Sequence, residues 1–229
     1  MTSGIVRRGD RLLRPMGPWS PAVHKYLRHL EAAGFAGSPR VLRTQSTREV
    51  LTFIDGHVAV DRHWQPGARP PAAALCPDRC RLRGAAKLIR QLHCAAAGFW
   101  PVITSYRFGP RPPQPGGGHL PRRSWPWNTV YRGEVPVAFI DWDSAGPVDP
   151  LADLAAAAWS FVPLAPPGQL AEAGFDPVPD RAARLRTFAA AYGPPDRTAI
   201  LPELQRCTLD EPEPLGWFRG IAADLARAL

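Results

Sequence analysis

Several residue types are scarce in this chain of 229 residues, and each scarcity excludes a class of protein. Four cysteines, of which only Cys76 and Cys80 are close together, do not provide a disulfide framework for a chain of this length. With no second cysteine pair a zinc site is also disfavoured, so reduced thiols are expected. No stretch approaches the ~20 apolar residues of a membrane span, and the first ten residues lack the apolar run of a signal peptide. We therefore expect a cytoplasmic protein without membrane contact.

Lysine is scarce as well, because Lys25 and Lys87 are the only two in a chain with a formal net charge of +8. The positive charge comes from arginines, which are spread along the chain with only short pairs such as Arg122-Arg123. Nucleic-acid-binding domains usually concentrate basic residues on one face or one helix. Since the sequence shows no such helix and no nucleic-acid motif, nucleic acid is not expected as a partner.

Two segments rich in β-branched and aromatic residues, 129–131 and 135–140, predict a β-hairpin that turns at Gly133. Asn128 precedes the first strand and Asp141 follows the second, so the hairpin would carry one oxygen donor at each open end. An amide oxygen and a carboxylate, completed by phosphate oxygens, are typical ligands of Mg²⁺. In kinase-type phosphoryl transfer an Asn and an Asp hold the metal in this way. Asn128 and Asp141 are thus predicted to be catalytic and metal-binding residues.

Three motifs surround this hairpin: Trp-Asn-Thr-Val at 127–130, Phe-Ile-Asp-Trp-Asp at 139–143 and Asp-Pro-Leu-Ala-Asp-Leu at 149–154. They resemble the aminoglycoside phosphotransferase and choline kinase-like family. Residues 48–56 resemble the family's strand and hinge between lobes, and the segment ending in Leu-His at 88–93 resembles its long helix. The resemblance extends from about residue 5 to residue 192, and several motifs in the family's order are hard to obtain by accident.

The resemblance implies an α+β, protein-kinase-like fold with two lobes. A reduced, β-rich N-terminal lobe with one helix would occupy residues 1–56, and a mainly helical C-terminal lobe with the metal hairpin would occupy residues 57–229. The implied function is an ATP- and Mg²⁺-dependent phosphotransferase that acts on a hydroxyl of a small molecule. Neither the identity of that acceptor nor an oligomeric state follows from the residues. A strongly basic chain would repel polycationic aminoglycosides at long range.

The chain departs from this family at the catalytic loop. Family members read His-Gly-Asp-Leu-x-Pro-x-Asn before the hairpin, and counting back from Asn128 places His-Gly-Asp at Pro121, Arg122 and Arg123. The family's Asp is the catalytic base or a positioning residue, whereas an Arg stays charged and offers no acceptor for a hydroxyl proton. Arg123 therefore stands where the catalytic carboxylate is expected.

Two explanations for this departure are open. Residues 119–125 can be encoded as CAT CTG CCA CGG CGA TCT TGG, and the same string read one base later encodes Ile-Cys-His-Gly-Asp-Leu. The recovered His-Gly-Asp falls on positions 121–123, so two compensating single-base slips would hide an ordinary catalytic loop. The alternative is a genuine loss of the base, which would leave a non-catalytic, pseudokinase-type protein that binds or regulates.

The predicted N-terminal lobe lacks the usual strand Lys and helix Glu of kinases, and no Gly-rich loop is evident. By position, Arg14 would contact the nucleotide phosphates in place of the Lys, and His24 lies near the place of the Glu. Phe53 and Ile54, at the hinge, are expected to border the nucleotide. The alternative for Arg14 and His24 is that both are exposed on the surface of the lobe.

Other carboxylates also have alternative interpretations. Asp143 either shares the metal or caps the following turn. Asp153 either braces the catalytic loop, as the matching family residue does, or is an exposed first-turn residue favoured by the helix dipole. Glu203 and Asp210 either line an acceptor pocket or lie on a solvated face.

The remaining elements follow from periodicity and from turn residues. Proline- and glycine-rich stretches at 61–80 and 106–118 predict loops. A first helix should begin with Ser20 as its N-cap and Pro21 in the first turn, and should close at Gly34. Further helices are predicted at 81–96, 150–161, 181–192, 200–207 and 216–229, and further strands at 5–6, 12–13, 40–42 and 49–54.

Overall fold

The computed structural model describes residues 4–58, 79–99, 105–107, 119–121, 126–172, 175, 177–207 and 212–229. Strands dominate its first part and helices its last part. The strands are β1 Val6–Arg8, β2 Arg11–Pro15, β3 Val41–Thr44, β4 Arg48–Thr52, β5 His57–Val58, β6 His119–Pro121, β7 Thr129–Arg132, β8 Val135–Phe139 and β9 Ala145–Pro147. The helices are α1 Ser20–Ala32, α2 Arg79–Ala96, α3 Pro150–Phe161, α4 Pro167–Glu172, α5 Arg181–Tyr192, α6 Ile200–Arg206 and α7 Pro212–Ala228.

An antiparallel sheet with strand order β1-β2-β4-β3 forms the N-terminal part of the fold. The predicted hairpin between the first two strands is confirmed, although β2 runs on to Pro15. Register in the centre of the sheet places Arg14 opposite Glu49 and Leu12 opposite Leu51. Because Leu12 and Arg14 are two residues apart, the apolar pair and the charged pair lie on the same face of the sheet.

Helix α1 packs on this sheet and begins differently from the prediction. Trp19, not Ser20, occupies the N-cap position, because the Ser20 hydroxyl accepts a hydrogen bond from the Gly17 N–H at 3.0 Å and closes the preceding turn instead. Pro21 lies in the first turn, where its missing N–H costs nothing. Gly34 follows the helix with a positive φ of 78°, so the predicted glycine stop is confirmed.

The β-hairpin predicted at residues 129–131 and 135–140 is confirmed to within one residue at its strand ends. β7 and β8 pair antiparallel, with Thr129 opposite Phe139, and turn at Gly133, whose φ is 57°. The sequence did not predict that β5 would join as a third strand through His57 opposite Tyr131. Gly56 allows this approach, because a Cβ at that position would lie 2.5 Å from the Tyr131 carbonyl oxygen.

A second strand pair missing from the sequence prediction lies beside the hairpin. β6 pairs antiparallel with β9, with Leu120 opposite Gly146 and Pro121 opposite Ala145. The segment before the expected catalytic loop is therefore bonded to the segment that follows the metal hairpin. Proline on both strands and glycine on β9 concealed this pair, since both residues weaken a strand pattern.

The core is one continuous cluster of buried apolar side chains. Leu27 and Leu30 of α1 contribute to the same cluster as Ile89 of α2 and Leu154 of α3. The α+β fold class is confirmed, with a small N-terminal sheet and a helical C-terminal region. The division into lobes at residue 56 stays a prediction. Of the helices within the described ranges, none has the length and apolar character needed to cross a membrane.

Helix ends in the C-terminal region follow the sequence closely. The helices at 150–161 and 181–192 match their predicted bounds, because each has an Asp whose side chain caps its first turn. The last helix begins at Pro212 instead of residue 216. Its two prolines were predicted to separate two helices, but proline is tolerated within a first helical turn.

Candidate functional site

The hairpin places Asn128 and Asp141 at its same open end, as predicted. The Ile140 N–H donates to the Asn128 carbonyl at 2.8 Å, which fixes the two chain segments side by side. Asn128 is only 8% exposed, whereas Asp141 is accessible to solvent. Coordination of one cation by these two side chains stays a prediction.

Asp141 has a left-handed backbone, with φ 61° and ψ 56°. Outside glycine this conformation is unfavourable, although Asp and Asn adopt it more readily than other residues. The next residue is firmly held: the Trp142 indole N–H donates to the Phe139 carbonyl at 2.8 Å, and its ring packs on Tyr26 at 5.6 Å between centroids. Asp141 is therefore presented from an anchored loop.

Partial loss of solvent around the carboxylate, which stays accessible, is the main cause that raises the pKa of Asp141, and the like charge of Asp143 adds to it. The guanidinium groups of Arg14 and Arg107 oppose this rise. Neighbouring like-charged carboxylates favour a bound cation, because a cation relieves their repulsion.

Asp143 is almost completely buried, at 3% exposure, and faces two arginines. Arg14 donates from Nη2 to its Oδ1 atom, and Arg107 Nη1 lies 3.6 Å from its Oδ2 atom. Neither contact is a turn cap, so that interpretation is wrong. A share in the metal stays a prediction, and it requires Asp143 to serve a cation besides these guanidinium groups.

Arg14 and His24 are buried, at 8% and 3% exposure, so their assignment to the exposed surface is wrong. Arg14 Nε lies 2.6 Å from one oxygen of Glu49, and His24 Nε2 contacts the other. Four side chains thus form a continuous buried arginine cluster: Arg14, His24, Glu49 and Asp143. Contact between Arg14 and nucleotide phosphates stays a prediction. In this structure its guanidinium lies between two carboxylates.

The predicted hinge residues, Phe53 and Ile54, follow β4 and are half-buried. The Phe53 N–H donates to the Asp10 carbonyl at 2.7 Å, and the Arg7 guanidinium lies 3.6 Å above the Phe53 ring. This cation–π contact fixes one ring face. Nucleotide contact by Phe53 and Ile54 stays a prediction.

The position of the expected catalytic Asp, Arg123, lies outside the described residues, as does Asp210. The segments on either side of it are described. Pro121 pairs with Ala145, and the chain is described again from Pro126, in the turn that ends at Asn128. The described residues on both sides of this gap therefore adjoin segments that flank the predicted metal hairpin.

Asp153 is 2% exposed, so its assignment as an exposed first-turn residue is wrong. His93 Nε2 lies 3.2 Å from its Oδ2 atom, and His93 Nδ1 lies 2.8 Å from the Tyr192 hydroxyl. A neutral imidazole meets both contacts when Tyr192 donates to Nδ1 and Nε2–H donates to Asp153. Burial raises the pKa of Asp153, and His93 partly offsets this. We call these three residues the histidine chain; contact with the catalytic loop stays a prediction.

Sequence reasoning missed Glu49, Tyr192 and Arg107. The Leu-His and Asp-Leu motifs at 92–93 and 153–154 were visible, but nothing local indicated that they meet. Glu203 pairs with Arg206 one helical turn later, at 3.1 Å. A place for Glu203 in an acceptor pocket stays a prediction.

The donor set fits a cation that arrives with phosphate oxygens. Within the described ranges, no three His, Cys, Asp or Glu side chains gather into a site that would hold a metal alone. An amide at Asn128 and an accessible carboxylate at Asp141 supply only part of the six oxygens around Mg²⁺, so phosphates and water would supply the rest.

Comparison with known proteins gives one relative and several structures. No family model matches the chain. The trifolitoxin immunity protein of Rhizobium leguminosarum bv. trifolii is 36% identical over 197 residues, which span 82% of this chain and 70% of that protein.

Similar solved structures are phosphotransferases. The macrolide 2'-phosphotransferase MphH of Brachybacterium faecium matches with a TM-score of 0.51 at 18% identity, over 98% of this chain and 87% of its own. The aminoglycoside phosphotransferase APH(3'')-Id of Streptomyces rimosus, in complex with ADP and streptomycin, matches with a TM-score of 0.53 at 17% identity, over 95% and 94%. At these identities the similarity shows the fold, and the fold is the one that the sequence motifs predicted.

Proposed function

Since this chain belongs to the family of the trifolitoxin immunity protein, we propose that it protects a cell against a toxin by phosphorylating it. The proposed reaction transfers the γ-phosphoryl group of Mg·ATP to a hydroxyl of that toxin, a small molecule. The cytoplasm, where ATP is available, is the proposed compartment. The relative's immunity role supports the biological part of this proposal, and the phosphotransferase fold supports the chemical part.

One observation carries the chemical part: the hairpin register brings Asn128 and Asp141 to one open end. Mg²⁺ would supply charge neutralisation on the phosphates, with the Asn128 amide and the Asp141 carboxylate as its protein ligands. The arginine cluster lies directly behind this end through Asp143. A site of this kind works by positioning and electrostatics and needs no covalent intermediate with the protein.

The transfer needs no reactant besides ATP and the acceptor. The acceptor oxygen bonds to the γ-phosphorus, the bond from that phosphorus to the β,γ-bridging oxygen breaks, and ADP leaves. The hydroxyl proton passes to a carboxylate at position 123 when His-Gly-Asp is restored. With Arg123 the proton has no such acceptor, and loss of general-base help alone costs ~10²–10⁴ in rate.

A second candidate is a protein that binds the toxin without phosphorylating it. The observation that favours it is the Arg122-Arg123 pair where the fold's catalytic residues are expected. Resequencing of codons 115–130 distinguishes the two origins of the Arg122-Arg123 pair, a frame slip and a genuine loss of the catalytic residues. A slip predicts one base to correct near each end of residues 119–125, whereas confirmed codons for Pro121-Arg122-Arg123 leave genuine loss.

The acceptor is proposed to be neutral or anionic and not a polycation. Five acidic side chains of the helical region are engaged in caps or pairs. Asp149 and Asp180 cap helices, Asp196 accepts from Thr198, Glu203 pairs with Arg206, and Asp224 pairs with Arg227. Together with a net charge of +8, this engagement leaves little local attraction for an aminoglycoside.

The test compares the chain as it stands with an Arg123→Asp variant and with a full His-Gly-Asp restoration at 121–123. ATP consumption is measured against a panel of neutral and anionic hydroxyl-bearing toxins. Activity that appears only on restoration supports the phosphotransferase. Toxin binding by all three proteins with turnover by none supports the second candidate.

A metal-binding arm accompanies this comparison. Asp141→Ala should abolish binding of Mg·ATP measured by calorimetry, whereas Asp10→Ala, an exposed carboxylate (89%) in the N-terminal sheet region, should leave it intact. Equal binding by the wild type and Asp141→Ala would remove Asp141 from the proposed site.

A further inference from the structure

A single guanidinium joins the N-terminal sheet to the loop that carries Asp141. Arg14 on β2 lies opposite Glu49 on β4, and its Nε atom is 2.6 Å from that carboxylate. Its Nη2 atom donates to Asp143, which is 129 residues away in sequence. The second oxygen of Glu49 contacts His24 of α1. The Arg14 guanidinium therefore contacts Glu49 of the sheet through Nε and Asp143 of the loop through Nη2.

The loop is buried and bonded at several points after Asp141, whereas Asp141 itself is exposed. Residues 142–146 are buried, and the backbone of Ala145 is fixed by its pairing with Pro121. Trp142 is fixed by the Phe139 carbonyl and by the ring of Tyr26. Asp143 is the member of this run whose side chain carries charge, and that charge lies on Arg14. Without Arg14 a buried carboxylate beside Asp141 would lose its main counter-charge.

We propose that Arg14 is a positioning residue that acts through Asp143: their ion pair sets the conformation of the loop at residues 139–147 and so holds Asp141 in its metal-binding position. The inference rests on the proposed function for the role of Asp141. It assigns to Arg14 a task that differs from direct contact with nucleotide phosphates, the role expected from its position in the sequence. Its immediate consequence is that metal affinity, more than nucleotide affinity, depends on this arginine.

Lysine at this position distinguishes the two tasks. A guanidinium is a planar fork that serves two carboxylates from separate nitrogens, whereas an ammonium is a compact point charge on a flexible stem. If Arg14 only attracted phosphates, Arg14→Lys would keep most of its effect. If Arg14 bridges Glu49 and Asp143, Arg14→Lys breaks one contact while it preserves the net charge.

The experiment measures the conformation of the loop and the binding of the metal separately. The eight tryptophans are labelled with 5-fluorotryptophan, and the ¹⁹F resonance of Trp142 is assigned with Trp142→Phe. Binding of Mn²⁺ in the presence of ADP is followed by electron paramagnetic resonance, and binding of metal-free ADP by calorimetry. The variants are Arg14→Lys, Asp143→Asn and their combination. Arg11→Lys, on the same strand with 62% side-chain exposure, is the matched control.

Arg14→Lys and Asp143→Asn should each shift the Trp142 resonance and weaken Mn²⁺ binding roughly 10–100-fold, a usual effect of losing a residue that orients a metal ligand. The combined variant should lose little more than either alone, because both changes break one interaction. Metal-free ADP should bind Arg14→Lys as it binds the control. An unmoved Trp142 resonance in Arg14→Lys, or equal losses for ADP with and without Mn²⁺, would overturn the inference.

Failure of the proposed function gives a different result. A wild-type protein that takes up no Mn²⁺ with ADP removes the metal site, yet the Trp142 resonance still reports whether Arg14 sets the loop. Circular dichroism confirms that each variant is folded before it is scored. If Asp143→Asn does not fold, Arg14→Lys alone decides between the two outcomes.

Discussion

Two groups of buried polar side chains, the arginine cluster and the histidine chain, differ in how their carboxylates are paired. In the arginine cluster the carboxylates of Glu49 and Asp143 face a guanidinium. In the histidine chain, among the described residues, the carboxylate of Asp153 is paired with an imidazole alone, which is in turn bound to the Tyr192 hydroxyl. Burial therefore raises the pKa of Asp153 with only partial relief. A cluster with paired charges fixes geometry, whereas a carboxylate with a weak partner makes stability depend on pH.

The largest expected effect comes from breaking the arginine cluster at Glu49, its central carboxylate. Glu49→Gln leaves Arg14 and His24 buried without the charge that holds them together. Removal of one partner from a buried ion pair typically costs ~3–5 kcal/mol in the free energy of unfolding. Urea denaturation measures this loss.

The matched control for this change is Glu31→Gln. Glu31 is 49% exposed and lies 3.7 Å from Arg40, so its loss should cost less than ~1 kcal/mol. Equal losses in the two variants would show that the arginine cluster contributes no more than a surface pair.

An intermediate effect is expected when the ionisable group of the histidine chain is removed. Since the folded-state pKa of Asp153 is raised, the unfolded chain releases this proton first as pH rises. The free energy of unfolding therefore falls between the ordinary carboxyl pKa and the raised one, with a slope of at most ~1.4 kcal/mol per pH unit from one proton. Asp153→Asn should lose this part of the slope and keep an amide partner for His93.

The pH series is measured by urea denaturation at matched ionic strength, with Asp224→Asn as control. Asp224 is 64% exposed in α7 and pairs with Arg227, so the slope of its variant should follow the wild type in the window above the ordinary carboxyl pKa. A slope in Asp153→Asn that equals the wild-type slope would contradict the role given to Asp153.

The contrast also explains what the sequence could and could not predict. The hairpin around Gly133 and the helix from Pro150 to Phe161 depend on local signals: turn residues, strand-forming runs and a capping Asp. The site clusters depend on contacts between distant segments, such as Arg14 with Asp143 across 129 residues. No periodicity in the sequence indicates a contact between such distant residues. Family-like motifs indicated Asn128 and Asp141. Motifs do not show which distant side chain a buried carboxylate such as Asp143 will contact.

The smallest expected effect compares two tyrosine hydroxyls. Tyr192→Phe removes the hydroxyl contact to His93 and should lower the free energy of unfolding by ~0.5–1.5 kcal/mol. Tyr26→Phe removes a buried hydroxyl that has no hydrogen-bond partner among the described residues, so stability should stay equal or rise. Thermal denaturation of both variants measures the pair, and a loss in Tyr26→Phe as large as that in Tyr192→Phe would contradict the distinction.

The pairing of β6 with β9 has a consequence for the restoration of His-Gly-Asp at residues 121–123. Its bonds run between backbone groups of residues 119–121 and 145–147, so a change of side chains there leaves most of the pairing intact. Pro121 is the one residue of β6 without an N–H, and histidine at that position would add a donor. The restored protein is therefore expected to keep this strand pair, so that its activity, compared with that of the present chain, tests the catalytic residues and not the fold.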